Sequence, residues 1–187
     1  MTVATIGHST HPIEDFLHML QAHGIRRLID VRTIPKSRRN PQFNRETLPA
    51  SLQAAGIDYR HLPGLGGLRH PRQDSPNTAW RNASFRGYAD YMQTPEFAEN
   101  LARLIDLASP TPTAIMCAEA VPWRCHRSLI ADALTARGIP VTEILSATKS
   151  QPHSLTPFAR VEGHQVTYPG KPKNASSIDL PLFDQVE

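Results

Sequence analysis

The segment from Cys117 to Arg127 holds the residue types in this chain that are most able to do chemistry. Cys117 ends a short apolar run, and a loop then leads to Cys125 and His126 at the start of a helical pattern. A thiol that faces a helix N-terminus and nearby arginines has a lowered pKa, so it can be a thiolate nucleophile at neutral pH. Free cysteines are also common small core residues, and the sequence leaves both interpretations of Cys117 open.

Charged residues of the same segment point to catalysis and to anion binding. Glu119 suits a general base, a metal ligand or an acceptor for a nucleobase amino group, and an ion pair with Arg124 or Arg127 is the alternative. His126 joins Cys117 and Glu119 as a candidate catalytic residue. Cations in the first turn of a helix oppose its macrodipole unless an anion lies between them. We therefore expect Arg124 and Arg127 to bind phosphate or another anion.

Two further polar pairs follow predicted strands. His8 and Ser9 come directly after the first apolar run of the chain, and Asp30 and Arg32 lie at the end of the second. Ligands of parallel α/β sheets bind at the carboxyl ends of the strands. We expect Asp30 to orient a partner as part of the catalytic set, and Arg32, His8 and Ser9 to contact the ligand. These side chains should meet the loop that follows Cys117.

Arginine is clustered in two predicted loops. Seven basic residues fall between positions 26 and 45, and five arginines fall between positions 60 and 86, with one acidic residue in each stretch. Arginine binds phosphate in a bidentate fork, so Arg38 is a candidate contact for a nucleic-acid backbone. Tyr88 is a candidate for stacking on a base. A solvated loop is the alternative for the charge run, and core packing is the alternative for Tyr88.

These candidates need a scaffold, and hydrophobic periodicity predicts alternating strands and helices. The predicted strands lie at residues 3–6, 28–31, 59–62, 114–117 and 141–145, the predicted helices at 12–23, 45–55, 85–92, 97–108 and 126–137, and a hairpin at 158–168. The alternation indicates an α/β fold with a mostly parallel, Rossmann-like sheet and helices on both faces. We assign residues 1–168 to a single domain and 169–187 to a short, polar and flexible tail.

The composition excludes several classes of protein. No apolar run reaches the roughly 18 residues that a membrane-spanning helix needs. The N-terminus lacks the basic stretch and cleavage pattern of a secretory signal, and two cysteines are too few for a disulfide scaffold. A cytoplasmic protein with reduced thiols is therefore predicted.

Metal binding is a further chemical alternative. The candidate ligands are Cys117, Cys125, His126, Glu119 and His8. Their spacing lacks the paired C-x-x-C or H-x-x-x-H arrangement that is typical of zinc sites. We therefore expect neither a bound metal nor a cofactor.

Several short motifs resemble those of one protein family. The motifs are TIGHS at 5–9, LIDVR at 28–32, PKSR at 35–38, YRHLPGLGG at 59–67, FRGY at 85–88, MCAE at 116–119 and CHRS at 125–128. Together they are similar to the family of domain of unknown function 488, over roughly residues 3–147. The resemblance implies an α/β domain with a polar pocket and leaves the substrate open. The DNA-repair label that members of the family carry agrees with a nucleic-acid ligand.

A looser likeness connects the chain to rhodanese domains. Residues 28–32 resemble their LIDVR strand, and Cys117 with the helix after it resembles their cysteine loop. The likeness implies sulfur transfer by a cysteine nucleophile. The loop departs from theirs because it lacks glycine and carries Glu119, and Arg124 lies one place too late for a phosphatase-type C-x5-R cradle.

The tail contains a candidate motif for partner docking. Residues 179–183 (DLPLF) resemble the short peptide that docks on the bacterial sliding clamp, with aspartate in place of glutamine at the first position. Such peptides bind through a few apolar anchors of a flexible segment, here Leu180, Leu182 and Phe183. A tail that packs on its own domain is the alternative.

These observations support three functional hypotheses. The first is a protein that acts on or binds a nucleotide or nucleic acid in DNA maintenance, in which Arg32, Arg38 and Arg127 hold phosphate. In that protein Glu119 reads or activates the target and Cys117 shapes the pocket. The second is a cysteine-dependent small-molecule enzyme such as a rhodanese-like sulfurtransferase. The third is a non-catalytic binding module that recruits partners through the tail.

Overall fold

Strands and helices alternate along the computed structural model, which describes residues 1–170, as the sequence predicts. The strands are β1 (Val3–Gly7), β2 (Arg27–Asp30), β3 (Asp58–His61), β4 (Thr113–Cys117), β5 (Val141–Ile144), β6 (Ser150–Pro152), β7 (Arg160–Glu162) and β8 (Gln165–Thr167). The helices are α1 (Ile13–Ala22), α2 (Leu48–Ala54), α3 (Ala83–Tyr91), α4 (Pro95–Ala108) and α5 (Arg127–Thr135).

The main sheet is mostly parallel. Within residues 1–170 its strand order is β3-β2-β4-β1-β5-β6, and only β6 runs antiparallel to its neighbour. Strands β1 and β4 are buried along their whole length, which explains their continuous apolar runs. Strand β6 was not predicted, because its residues, Ser150–Pro152, are all exposed at the sheet edge and form no apolar run.

Helices cover both faces of the sheet, as predicted. Alternate residues of each strand point to opposite faces, so neighbours such as Ile115 and Met116 belong to different apolar clusters. The cluster around Ile115 packs against α3, α4 and α5, and the cluster around Met116 packs against α1 and α2. With both faces covered, the sheet reaches solvent at its edges and at the ends of its strands.

The long loop between β3 and α3 is ordered by buried polar contacts. The carboxylate of Asp90, which is 4% exposed, accepts hydrogen bonds from the backbone N–H of Arg72, the hydroxyl of Ser75 and the side-chain amide of Asn77. One residue of α3 therefore fixes three positions of the loop, and the loop can hold Gly67 against the site described below.

The C-terminal part of the described chain is a hairpin, which the sequence also predicts. Strands β7 and β8 pair antiparallel around Gly163, whose φ of +60° lies in the left-handed region that glycine adopts without strain. The docking motif predicted at Leu180, Leu182 and Phe183 lies outside the described residues. The longest helix within residues 1–170 is α4 with 14 residues, and none of the helices there could cross a membrane.

Candidate active site

Three strand ends meet at one edge of the sheet. Strands β2, β4 and β1 are neighbours, and Gly7 is in register with Cys117. Past the strand ends, the backbone N–H of His8 donates to the carbonyl of Cys117 at 3.0 Å, and that of Ser9 donates to the carbonyl of Ala118 at 2.9 Å. The expected convergence of the polar strand ends is confirmed.

Gly7 allows the loop after β4 to approach the end of β1. A Cβ atom at this position would lie 1.8 Å from the carbonyl oxygen of Glu119 and 2.8 Å from Nη1 of Arg127. No side chain fits at such distances, so glycine is required here for space rather than for its backbone conformation. The loop from Ala118 onward is thereby held directly over the sheet edge.

The side chains of two buried cysteines and one half-buried histidine, Cys117, Cys125 and His126, form a group that is here called the Cys–His cluster. Nδ1 of His126 lies 3.9 Å from Sγ of Cys117 and 3.6 Å from Sγ of Cys125. These three atoms all lie within 4.8 Å of one another. The two cysteines are 6% and 3% exposed and are not joined in a disulfide.

The imidazole of His126 is oriented by a backbone carbonyl. Its Nε2 lies 3.1 Å from the carbonyl oxygen of Val31, and because a carbonyl only accepts, Nε2 must carry the proton. Nδ1 then faces the two sulfur atoms, where it can take the proton that Cys117 loses. A Cβ atom on Gly67 would lie 2.5 Å from Nδ1, so this glycine lets the loop after β3 pack against the same edge of the ring.

The environment makes Cys117 the thiolate of the pair. A hydrogen bond from the thiol of Cys125 lowers the pKa of Cys117 most, and His126 and the backbone N–H of Glu119 lower it further, against the opposing effect of burial. Burial, and then the neighbouring sulfur of Cys117, raise the pKa of Cys125. The two sulfurs therefore share one proton, which Cys125 keeps and donates to Cys117.

A small pocket gives access to the Cys–His cluster. Its volume is about 160 Å³, and it is lined by the cluster together with Gly67, Ser84, Phe85, Glu119 and Arg124. Two clefts of about 350 and 380 Å³ lie elsewhere on the described surface, but no cysteine lines either of them. The smaller pocket is the candidate active site because two thiols and an imidazole line it, although both clefts are larger.

Arg127 has a different role from the predicted anion contact. The side chain is 1% exposed, and its Nη1 and Nη2 donate to the carbonyl oxygens of Glu119 and Ala120 at 2.5 and 2.8 Å. The guanidinium therefore fixes the loop that covers the cluster and has no face toward the pocket. Arg127 lies at the start of a helix, as predicted. The acceptors of its hydrogen bonds there are backbone carbonyl oxygens rather than an anionic ligand.

Asp30 and Arg32 form an internal network beside the cluster. Nε and Nη2 of Arg32 donate to the two carboxylate oxygens of Asp30 at 2.9 and 2.6 Å, and Tyr59 also donates to Asp30. Nη1 of Arg32 lies 3.1 Å from Nε2 of His8. Burial, and then the charge of Arg32, lower the pKa of His8 to about 4, so its imidazole is neutral and accepts this bond. Asp30 orients Arg32. The guanidinium of Arg32 is engaged in internal hydrogen bonds and does not line the pocket, so it is not placed for the predicted ligand contact.

The remaining candidates divide into core and surface residues. Tyr88 is fully buried and donates its hydroxyl proton to the carbonyl of Leu65, so its ring packs in the core rather than stacking on a base. Glu119 and Arg124 are exposed and line the pocket. Arg38 is exposed on the loop after β2, and the pocket lining does not include it.

The Cys–His cluster also has the geometry of a metal site. A tetrahedral ion with sulfur ligands at about 2.3 Å and a nitrogen ligand at about 2.0 Å places sulfur and nitrogen about 3.6 Å apart. The observed sulfur–nitrogen distances are 3.6 and 3.9 Å. The carbonyl of Val31 accepts from Nε2 of His126 and orients the ring, as hydrogen-bond acceptors behind metal-binding histidines do. The expectation of no bound metal stays a prediction.

The sequence does not predict the roles of some residues of the site. The sequence favours Cys117 over Cys125 as the functional thiol, although the position of Cys125 next to His126 places both side chains at one helix start. The carbonyl of Val31 and the close packing of Gly67 have no sequence signal of their own. Both depend on how the loops after β2 and β3 fold over the sheet edge.

Comparison with known proteins identifies the family. A search of curated proteins and a search of solved structures each found no match. The rhodanese likeness therefore remains a resemblance of sequence motifs. A family model described as "Domain of unknown function DUF488" matches residues 12–134, which is more than half of the 187 residues and includes the whole Cys–His cluster. The chain belongs to this family, as its motifs imply.

Proposed function

We propose that the protein is a cysteine-dependent enzyme in which Cys117 attacks a small electrophilic substrate and His126 moves the proton. The position of Nδ1 of His126 carries this proposal, because it faces Sγ of Cys117 while Nε2 is held by Val31. A nucleophilic thiol, a base within reach and a third group that orients the base are the general signature of covalent catalysis.

The pocket favours a small polar substrate. Its volume of about 160 Å³ is close to that of a cavity that can hold benzene, so the substrate has roughly that size. The lining pairs one exposed cation, Arg124, with one exposed carboxylate, Glu119, and the N-terminus of α5 adds the positive end of a helix dipole, which can hold an anionic group of the substrate. In the reaction, the thiolate forms a bond to the electrophilic atom, the bond from that atom to the leaving group breaks, and Nδ1 of His126 gives the leaving group the proton that it took from Cys117.

The pH dependence of thiol alkylation tests this proposal. We expect the rate at which iodoacetamide labels Cys117 in chelator-treated protein to be nearly constant from pH 5.5 to 8. Free cysteine, with a pKa of about 8.5, should become roughly tenfold faster per pH unit over the same range. Peptide mass spectrometry assigns the label to one sulfur.

Two variants and one comparison make the result specific. Cys117→Ser should remove the pH-independent labelling, whereas Cys125→Ser should largely keep it because serine still donates a hydrogen bond. A Cys117 rate that climbs with pH like that of free cysteine would overturn the proposal. Labelling that becomes fast only after the chelator is added would show that a metal ion holds the thiolates, and it would replace the nucleophile with a metal centre.

Nucleic-acid binding is a second candidate function, supported by an exposed basic segment. Lys36, Arg38 and Arg39 are exposed, and within residues 1–170 none of them forms an ion pair. The buried positions of Arg32 and Arg127 remove two of the three phosphate contacts that the sequence suggested. The exposed cations Lys36, Arg38 and Arg39 can still contact the phosphates of a nucleic-acid backbone at the protein surface.

Salt-dependent binding to DNA tests this second function. Each phosphate contact adds about 0.9 to the slope of log K against log salt concentration. Replacing both Arg38 and Arg39 with alanine should therefore lower the slope by about 2 and weaken binding to single- and double-stranded probes alike. Arg103→Ala, which removes an exposed arginine on α4, is the matched control. An unchanged slope in the double variant would rule out this segment as the interface.

A further inference from the structure

We propose that Cys125 is the resolving thiol for Cys117, so that the substrates of this site are those that leave an electrophilic sulfur atom on Cys117. The inference rests on the proposed function and names its substrate class. That class comprises hydroperoxides and donors of sulfane sulfur, which both convert the thiolate into a species that a second thiol can attack.

The position of the second sulfur carries this inference. Sγ of Cys125 lies within 4.8 Å of Sγ of Cys117, while a disulfide needs a separation of about 2.05 Å. Cys117 is the last residue of β4 and Cys125 follows the short turn Pro122–Arg124, so the two are joined by a surface loop whose residues 118–120 are exposed. Rotation of the two cysteine side chains closes the remaining gap in the proposed reaction, while Arg127 keeps the loop in place.

The same imidazole can serve both sulfurs. Nδ1 of His126 is 3.9 Å from Sγ of Cys117 and 3.6 Å from Sγ of Cys125, so one base is within reach of the nucleophile and of the resolving thiol. Once Cys117 has formed a bond to a substrate atom, Nδ1 at 3.6 Å is placed to take the proton of Cys125.

The substrate class follows from what a second thiol can attack. An acyl or alkyl group on Cys117 offers an electrophilic carbon, and its transfer to Cys125 would only move the group between two sulfurs. A sulfenic acid or a persulfide offers an electrophilic sulfur, and attack there forms a disulfide and expels a leaving group. A buried second thiol beside the first is therefore useful for oxygen or sulfur transfer and not for acyl transfer.

The reaction with a hydroperoxide balances as follows. The thiolate of Cys117 attacks the terminal oxygen, the O–O bond breaks, and the alkoxide or hydroxide leaves with a proton from the site. The thiolate of Cys125 then attacks the sulfenic sulfur, the S–O bond breaks, and water leaves. The two thiols are oxidised by two electrons, the hydroperoxide is reduced, and an external dithiol restores the pair.

The reaction with a sulfane donor follows the same course. The thiolate of Cys117 attacks the outer sulfur of thiosulfate, the S–S bond breaks, and sulfite leaves. Cys125 then attacks the sulfur of Cys117 in the persulfide, and hydrogen sulfide leaves as the disulfide forms. Sulfite and sulfide are released only on this course, so the products distinguish the two kinds of substrate.

Mass spectrometry after single-equivalent oxidation tests the inference. Chelator-treated full-length protein is mixed with hydrogen peroxide in one arm and with thiosulfate in the other, and remaining thiols are blocked under denaturing conditions. At least one arm should give protein that has lost two hydrogen atoms, with the peptides of Cys117 and Cys125 joined, and dithiothreitol should reverse the change.

Variants separate this inference from the proposed function. In Cys125→Ser, which keeps a hydrogen-bond donor, the adduct on Cys117 should accumulate and be trapped by dimedone in the peroxide arm or by an alkylating agent in the thiosulfate arm. If wild-type Cys117 is modified in either arm but Cys125 stays free to be alkylated, the resolving role is wrong and the reactive thiolate stands. If Cys117 reacts in neither arm and its alkylation climbs with pH, both proposals fail.

Discussion

Replacing His126 with glutamine should restore a strong pH dependence to the alkylation of Cys117. In the wild type His126, whose Nδ1 faces the sulfur, lowers the pKa of Cys117 together with the hydrogen bond from Cys125, which lowers it most. Glutamine can keep the hydrogen bond to the carbonyl of Val31, but it accepts no proton and carries no charge. We expect the labelling rate at pH 6 to fall to about one tenth or less of the rate at pH 8, which corresponds to a pKa raised to about 7 or above.

The control for this prediction is a histidine that lies away from the site. His18→Gln changes an exposed residue of α1 and should leave the flat labelling profile of the wild type intact. Thermal unfolding of both variants shows whether the fold is kept. If His126→Gln labels as evenly with pH as the wild type, Cys125 and the backbone alone support the thiolate, and His126 loses its role as the proton carrier.

The fold was predictable because its signals are local and repeated. Apolar runs such as 114–117, which become strands buried on both faces, differ clearly from the helical spacing of Phe97, Leu101 and Leu104. The strand ends that converge on Cys117 follow from the parallel arrangement alone. The edge strand Ser150–Pro152 was not predicted because its three residues are exposed and carry no apolar pattern.

The site was predictable only in part, because the sequence gives a residue's type and not its partners. The sequence pattern of an arginine at a helix start is the same whether the side chain binds a ligand or, as Arg127 does, two carbonyl oxygens of the preceding loop. Tyr88 fits a stacking surface and a core equally well until its burial is known. The approach of Cys125 to Cys117 depends on how a seven-residue loop closes, which spacing alone does not determine.

A second large effect is expected from Asp30→Asn, which should lower the free energy of unfolding by about 3–5 kcal/mol. Asp30 is fully buried, and its two carboxylate oxygens accept the hydrogen bonds from Nε and Nη2 of Arg32. Asparagine keeps the shape but leaves the buried guanidinium without a counter-charge, and it turns an amide N–H toward one of these donors. For a domain of this size the loss corresponds to a fall of roughly 10 °C in Tm.

Asp58→Asn is the matched control for this loss, and it also shows which role Asp30 has. Asp58 lies on the neighbouring strand, its side chain is 37% exposed, and its ion pairs with Arg27 and Arg60 reach solvent, so we expect a change below about 1 kcal/mol. Equal losses in urea unfolding of the two variants would contradict the internal role of the Asp30–Arg32 pair. Because Asp30 contacts neither sulfur, the folded fraction of Asp30→Asn should keep the flat alkylation profile of Cys117. A profile that instead climbs with pH would mean that Asp30 acts on the thiolate through Val31 and the ring of His126, and it would make Asp30 a positioning residue of the active site.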